Sequence, residues 1–255
     1  MRPQGEVVVI TGAANGIGAA MSRKFSALGA HLVLGDVDEL ALRRIAAETG
    51  GTAVVGDVAD ERGVARLVRT AVDEHGRIDL FCANAGVAEG GGPEADERAW
   101  AKSWEINVMA HVRAAHAVLP HWLERGSGHF LATVSAAGLL TMLGSAPYSV
   151  SKHAALGFAE WMAVTYADRG VTVQALCPQG VRTDMLGSSG SAGETLLDAG
   201  AVDPEDVADL VARSLDSGQF LVLPHPEVGD YYALRAGDPG RWQGGMRKLQ
   251  RKLDG

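Results

Sequence analysis

The sequence predicts an α/β fold with a doubly wound, parallel sheet of seven strands in a single domain, residues 1–255. Three observations predict it. Short apolar runs rich in β-branched residues alternate with helical patterns, the first run ends in a glycine-rich turn, and no linker or shift in composition divides the chain. Strands that alternate with helices form parallel sheets covered on both faces, because the crossovers are right-handed.

In the first third of the chain, three strands each lead into a helix. Each predicted strand is a short apolar run that ends at a glycine-rich turn or near an aspartate: Val7–Ile10, His31–Leu34 and Thr52–Val55. Each predicted helix repeats apolar residues at helical spacing: Ile17–Leu28, Glu39–Glu48 and Glu61–Glu74. Gly29 and Gly50 end the first two helices, as glycine commonly does.

The rest of the chain continues this alternation. The apolar strands are Ile78–Cys82, His129–Val134, Val171–Cys177 and Phe220–Leu223. The helical patterns are Asp96–Glu124, Tyr148–Arg169 and Pro204–Ser217. This regular order through Leu223 predicts a Rossmann-like fold.

Composition and charge exclude several classes of function. The formal net charge of −8 repels a phosphate backbone, so we expect no nucleic-acid partner. No apolar run approaches the length of a membrane span and no signal-peptide pattern follows the N-terminus, so we expect a cytoplasmic protein that binds no membrane. Cys82 and Cys177 lie in apolar runs, which predicts buried free thiols. His111, His116 and His121 fall on different faces of a helix, which predicts surface or interface histidines and no metal site.

The turn Thr11–Gly18 after the first strand predicts a site for a dinucleotide pyrophosphate. Glycine permits the sharp turn and lets the backbone approach the pyrophosphate, and the helix start favours an anion. The expected contacts are Gly12, Asn15, Gly16, Ile17 and Gly18. The alternative is a glycine-rich turn that binds no ligand.

Asp36 at the end of the second strand predicts NAD as the cofactor rather than NADP. Its carboxylate can accept hydrogen bonds from the adenosine ribose hydroxyls and repels a 2′-phosphate. Neither Asn15 nor Val37 supplies the cation that a 2′-phosphate needs. The alternative is that Asp36 caps the second helix, a role for which Asp38 competes.

Asp57 and Val58 end the third strand, where a side chain and a backbone N–H can bind the adenine edge. Capping of the third helix explains Asp57 equally well, although Asp60 is better placed as that cap.

Three side chains predict acid–base chemistry. Tyr148 and Lys152 lie one helical turn apart on one face, and Ser135 follows the fifth strand. A lysine cation and a positive nicotinamide favour the phenolate, which brings a tyrosine into range as a general acid/base. Ser135 can donate a hydrogen bond to the same substrate oxygen. A Tyr-x-x-x-Lys pair alone is common on solvated helix faces, so the combination carries the prediction.

These motifs resemble those of the short-chain dehydrogenase/reductase family over roughly residues 7–223. The resemblance rests on residues in a characteristic order: the Thr11–Gly18 turn, Asn84-Ala85-Gly86, Asn107, Ser135, Tyr148 and Lys152. It implies a Ser-Tyr-Lys triad with Asn107 completing a proton relay, and Lys152 also holding the nicotinamide ribose. It implies that Asn84, Ala85 and Gly86 line the cofactor and stabilise the central sheet.

The loop after the sixth strand departs from the family pattern. The family often has Pro-Gly there, whereas Gln179 stands between Pro178 and Gly180 in this chain. We still expect Pro178, Gly180, Val181 and Thr183 to pack on the cofactor, with Val181 near the carboxamide. The resemblance also places a mobile lid at about residues 184–202 and a homodimer or homotetramer surface on the helices 100–124 and 148–169.

The C-terminal tail, about residues 224–255, does not match the common family pattern. His225 receives no role, and the basic segment Arg241–Lys252 is expected to pack against an acidic neighbour rather than a membrane. Apolar segments near the triad predict a hydrophobic alcohol or carbonyl substrate.

The sequence therefore predicts an NAD(H)-dependent oxidoreductase that interconverts a secondary alcohol and a ketone. Two alternatives stay open: an NADP-linked carbonyl reductase, and a dinucleotide-sensing protein without catalysis.

Overall fold

The computed structural model describes residues 1–187 and 200–254, and its strand order confirms the predicted doubly wound sheet. Seven parallel strands lie in the order β3-β2-β1-β4-β5-β6-β7. The strands are β1 (Val7–Thr11), β2 (His31–Asp36), β3 (Thr52–Val55), β4 (Leu80–Ala83), β5 (Gly128–Thr133), β6 (Val171–Leu176) and β7 (Leu221–Val222). The direction of winding reverses between β1 and β4, which places a binding crevice beyond their carboxyl ends.

Helices cover both faces of the sheet. They are α1 (Gly16–Ala27), α2 (Glu39–Thr49), α3 (Glu61–His75), α4 (Glu97–Trp104), α5 (Ala110–Arg125), α6 (Ala136–Leu139), α7 (Ala146–Tyr166), α8 (Asp184–Gly187), α9 (Pro204–Ser214), α10 (Glu227–Gly237) and α11 (Pro239–Leu253). No helix in the described ranges is long and apolar enough to cross a membrane.

The alternation of side chains along β1 divides the core between the two faces. Val7 and Val9 pack into one cluster with residues of α3, α5 and α7. Val8 and Ile10 pack into the other with residues of α1, α2 and α9. Successive residues of a strand point to opposite faces, so a continuous apolar run is what a sheet buried on both sides requires.

The predicted helix Asp96–Glu124 is wrong in one respect, since it is three segments. A π-helical turn, Glu105–Met109, separates α4 from α5 and contains Asn107. Such a turn inserts an extra residue and changes the direction of the side chains at that point.

The C-terminal tail forms two helices, α10 and α11, that the sequence did not predict. The basic segment Arg241–Lys252 belongs to α11, which packs against α10. Glycines within both helices weaken the helical signal, so tertiary contacts contribute to their formation. Most of the expected lid, residues 188–199, lies outside the described residues.

His111 is buried, so its predicted surface or interface position is wrong. It is 1% exposed and lies edge-on to Phe130 with ring centroids 6.5 Å apart. Neither of its ring nitrogens has a hydrogen-bond partner among the described residues. Burial, together with the charge of Lys152, lowers the pKa of His111 to about 3. His116 and His121 are exposed as expected.

We expect His111 to make the fold sensitive to acid. The buried imidazole stays neutral while the unfolded chain binds a proton below about pH 6.5, so stability falls with pH until the folded pKa is reached. Between about pH 6.5 and 5 this costs about 2 kcal/mol. Urea unfolding at both values should show that His111→Leu loses less stability than the wild type. Equal losses would remove His111 as the cause.

Candidate active site

A cavity of about 460 Å³ lies beyond the carboxyl ends of the central strands. Most of the residues predicted from the sequence line it: Gly12, Asn15, Gly16, Ile17, Asp36, Asp57, Val58, Asn84, Ala85, Gly86, Ser135, Tyr148, Lys152, Pro178, Val181 and Thr183. Gly18, Asn107 and Gly180 are not among the lining residues. The fold therefore brings the two ends of the predicted site, the glycine-rich turn and the Ser-Tyr-Lys set, into one cavity.

Glycines shape the turn between β1 and α1. Gly12 and Gly16 have φ angles of +64° and +50°, a region that other residues rarely adopt. A Cβ on Gly18 would lie 1.9 Å from the carbonyl oxygen of Gly12. Gly18 therefore lets α1 pack closely against the turn, which explains its place behind the cavity wall.

The first turn of α1 lacks the side-chain cap that its neighbours have. Asn15 stands at the N-cap position, but its side chain makes no capping hydrogen bond. By contrast, α2, α3 and α4 are capped by Asp38, Asp60 and Asp96. Backbone N–H groups at the start of α1 are thus left for an anion, and the helix dipole favours one there.

Asp36 does not cap α2, so that alternative is wrong. The carboxylate of Asp38 fills the role by accepting a hydrogen bond of 3.0 Å from the N–H of Ala41. Asp36 instead accepts hydrogen bonds from the backbone N–H groups of Ala14, at 3.0 Å, and Asp38, at 3.1 Å. These bonds fix its carboxylate at the rim of the cavity, beside the glycine-rich turn.

Asp57 and Val58 line the same end of the cavity. Asp57 accepts a hydrogen bond from the N–H of Ala59 at 2.8 Å, whereas Asp60 caps α3 through the N–H of Arg62. The capping role proposed as an alternative for Asp57 therefore belongs to Asp60.

Asn84 joins three strands of the sheet at their carboxyl ends. Its side-chain amide donates to the carbonyl of Thr11 at 3.1 Å, and its Oδ1 accepts from the hydroxyl of Thr133 at 3.0 Å. The hydroxyl of Thr11 in turn accepts from the backbone N–H groups of Asn84 and Ala85. This network braces β1, β4 and β5 directly beneath the cavity.

Lys152 carries a buried amine at the inner end of the cavity. It is 3% exposed, and its Nζ donates to the carbonyl of Thr133 at 2.9 Å. The Nζ lies 5.7 Å from the centroid of the Tyr148 ring. Burial lowers the pKa of Lys152 to about 8. A Cβ on Gly86 would lie 3.3 Å from this Nζ, so Gly86 leaves room for the amine.

Tyr148 and Ser135 meet at the inner end of the cavity. Burial raises the pKa of Tyr148, and a hydrogen bond with Ser135 acts in the opposite direction. The Ser135 hydroxyl accepts the N–H of Ala137 at 3.0 Å and donates to the carbonyl of Pro178 at 3.4 Å. The long bond to Pro178 is a weak one, so the hydroxyl is available to another acceptor.

Asn107 lies behind this group, in the π-helical turn. It is fully buried, and its Oδ1 accepts the N–H of Val87 at 2.9 Å. Its amide donates to the carbonyl of Val87 and to the hydroxyl of Ser151, both at 3.0 Å. The atoms of Asn107 and Lys152 face the same point, since a Cβ on Gly86 would be within 3.3 Å of both.

Sequence reasoning missed part of the substrate side of the cavity. Leu140, Met142, Leu143, Met185 and Leu186 line it in the apolar segments expected there. Val87, Ala88, Ile106 and Gln179 were missed as lining residues. For Val87 and Ala88 the available signal was their position directly after the Asn84-Ala85-Gly86 motif.

The sequence of this chain is similar to those of known dehydrogenases. The short chain dehydrogenase family model matches residues 6–193. The 1-deoxy-11-beta-hydroxypentalenate dehydrogenase of Streptomyces exfoliatus is 39% identical over 89% of this chain and 86% of its own. The cis-4-hydroxycyclohexanecarboxylate dehydrogenase of Sinomonas cyclohexanicum is 35% identical over 85% of this chain and 92% of its own.

A solved structure is similar over nearly the whole chain. The short chain dehydrogenase/reductase of Burkholderia phymatum, determined in complex with NAD, superposes with a TM-score of 0.87 and 31% identity. The match covers 93% of this chain and 95% of that one.

Proposed function

Because the chain belongs to the short-chain dehydrogenase family, an oxidoreductase family, we propose that it interconverts a secondary alcohol and a ketone with NAD(H). The observation that carries the proposal is the convergence of Ser135, Tyr148 and Lys152 at the inner end of a cavity whose outer end holds the glycine-rich turn and Asp36. Chemistry on the hydroxyl group fits the names of both dehydrogenases compared above.

The residues present fit a nicotinamide dinucleotide. The uncapped start of α1 and the close approach permitted by Gly12 and Gly16 suit the pyrophosphate. Asp57, Val58, Asn84, Ala85 and Gly86 would contact the adenosine and the central part of the cofactor. Pro178, Val181 and Thr183 would contact its nicotinamide half, and Gly180 would shape the loop behind them. When bound, the nicotinamide ring would accept a hydride in alcohol oxidation and donate one in ketone reduction.

In alcohol oxidation, the phenolate of Tyr148 would receive the hydroxyl proton of the substrate. The ammonium of Lys152 stabilises the phenolate that accepts this proton. Ser135 donates its hydroxyl hydrogen to the substrate oxygen, which is a stronger acceptor than the distant carbonyl of Pro178. Asn107 holds the backbone of Val87 through two hydrogen bonds. In the proposed relay it would complete the path for the proton beyond Lys152.

NAD is favoured over NADP by the charges around the cavity. Asp36, Asp57 and Asp184 line it, and Lys152 is the only lysine or arginine among its described lining residues. Lys152 belongs to the opposite end, so among the described lining residues a 2′-phosphate beside Asp36 would meet a carboxylate and no cation.

We expect Asp36→Asn to weaken this preference. The wild type should bind NADH more than about 100-fold more tightly than NADPH, and the variant should lose at least about tenfold of that ratio, since a hydrogen bond to a charged group contributes about 1.5–3 kcal/mol. Fluorescence titration with both cofactors measures the ratio. Asp38→Asn is the matched control, because it removes a charge two residues away and keeps a good helix cap. Comparable binding of NADPH and NADH by the wild type would overturn the assignment and favour the NADP-linked alternative.

The substrate we propose is an uncharged, largely apolar secondary alcohol or ketone. The described lining on this side is mainly aliphatic, and the described lining residues include no lysine or arginine besides Lys152, which is assigned to Tyr148. The names of the two related dehydrogenases specify hydroxylated carboxylates, so paired neutral and carboxylated alcohols test this point. If the enzyme binds NADH but forms none from NAD with either the neutral or the carboxylated alcohols, the dinucleotide-sensing alternative is favoured.

Exposed apolar side chains on α4 and α7 support the proposed homodimer or homotetramer. Trp104, Trp161 and Val164 are 44%, 56% and 85% exposed.

The buried free thiols Cys82 and Cys177 suit the proposed cytoplasmic location.

A further inference from the structure

One peptide group beside the triad is held from both sides. The carbonyl of Pro178 accepts the N–H of Ala136 at 2.7 Å and the hydroxyl of Ser135 at 3.4 Å. The N–H of the same peptide, that of Gln179, donates to Nδ1 of His225 at 3.1 Å. A single planar unit therefore joins the Ser135 hydroxyl to an imidazole 46 residues beyond Gln179.

The surroundings of His225 select one form of its ring. It is 4% exposed, and its Nε2 lies 3.1 Å from the carbonyl oxygen of Gly200. Because Nδ1 accepts a backbone N–H, the ring proton resides on Nε2 and is donated to Gly200. The neutral ring thus satisfies both of its nitrogens with backbone groups.

The backbone of His225 is itself rigid. Prolines precede and follow it, and its carbonyl accepts the N–H of Val228 at 3.1 Å where α10 begins. Val228 is fully buried in the core. The imidazole is therefore a fixed partner for the more irregular loop that follows β6.

The departure from the family pattern gives this contact its importance. Gln179 occupies the position where the family often has glycine, and no described residue other than glycine has a positive φ. The 178–179 peptide thus does not rely on the conformational freedom of glycine. Its N–H is bonded to a side chain instead.

We propose that His225 is a positioning residue for the reaction. It orients the 178–179 peptide, and through the carbonyl of Pro178, which accepts the N–H of Ala136 at 2.7 Å, it holds the backbone that carries Ser135 in place beside the substrate oxygen. This inference rests on the proposed function. Loss of the contact should lower kcat more than it raises the KM for the alcohol, because the hydroxyl acts on charge that develops in the transition state.

Two near-isosteric variants separate the two hydrogen bonds of the ring. In His225→Asn, Oδ1 occupies the place of Nδ1 and can still accept the N–H of Gln179, while the bond to Gly200 is lost. In His225→Gln, Nε2 can reach Gly200, while the acceptor for Gln179 is lost. We expect the Asn variant to keep kcat within about threefold and the Gln variant to lose about tenfold or more. His225→Leu, which lacks both bonds, should resemble the Gln variant.

Hydrogen exchange at the Gln179 amide supplies a readout that does not depend on turnover. Protection should persist in the wild type and the Asn variant and fall in the Gln and Leu variants. If the wild type turns over none of the alcohols, the proposed function fails while this measurement still tests the contact. Equal kcat in the Asn and Gln variants, or equal exchange in all four proteins, would overturn the positioning role. The Asn and Gln comparison remains decisive if the Leu variant does not fold.

Discussion

Replacing Tyr148 with phenylalanine is expected to lower kcat for alcohol oxidation by about 1,000-fold and to change NADH affinity by less than about twofold. The substitution removes only the phenolic oxygen, so the ring continues to pack beside Lys152. Without that oxygen, no group on the described inner wall is placed to take the hydroxyl proton while Ser135 donates to the substrate. Steady-state kinetics and NADH fluorescence titration measure the two effects.

Tyr166→Phe provides the matched control for this variant. Tyr166 is the last residue of the same helix, α7, and lies against Trp161 rather than in the cavity. It should retain wild-type kcat. A Tyr148→Phe enzyme with full activity would remove Tyr148 as the proton acceptor, and loss of NADH binding in that variant would show that the site had been disturbed.

Replacing Lys152 with methionine is expected to reduce kcat by about 100- to 10,000-fold, because the phenolate of Tyr148 loses its neighbouring cation. Methionine fills a similar volume without charge, so the buried position stays packed. Removal of a positive charge disfavours the phenolate and raises the pKa of Tyr148. The acid limb of the pH profile for oxidation should therefore move to higher pH.

The pH profile also tests the charge state of Lys152 in the wild type. Burial lowers the pKa of Lys152 to about 8. As the pH rises through that value, the amine of the free enzyme loses its charge and should stabilise the Tyr148 phenolate less. Lys248→Met, on the exposed part of α11, is the control and should leave the profile unchanged. A Lys152→Met enzyme with an unshifted acid limb would contradict the electrostatic role.

The sheet and most of the cavity lining could be predicted because their signals are local. The apolar run of β1 and the glycines at Gly12 and Gly16 report on their own conformation, and parallel strands bring their carboxyl ends together. Tyr148 and Lys152 are neighbours through helical geometry alone. Asp36 follows the same logic, as the polar residue that ends a buried strand.

The features that escaped prediction depend on contacts between distant parts of the chain. The π-helical turn around Asn107 has no local sequence signal. It depends on hydrogen bonds of the Asn107 side chain to Val87 and Ser151, which are distant in the sequence. The burial of His111 depends on its packing against Phe130. His225 acquires its partner Gln179 through packing of the C-terminal segment. Such contacts override local preference, so a single sequence does not reveal them.

Transfer of a labelled hydrogen tests the central claim most directly. The enzyme would be incubated with NAD and secondary alcohols that carry deuterium on the carbinol carbon, and the NADH formed would be analysed by mass spectrometry and NMR. The account predicts that deuterium moves from the alcohol to the nicotinamide ring, and that Tyr148→Phe abolishes this transfer while binding NADH. The account would be contradicted if the wild type bound NADH but transferred deuterium neither from any alcohol to NAD nor, in the reverse direction, from labelled NADH to any ketone.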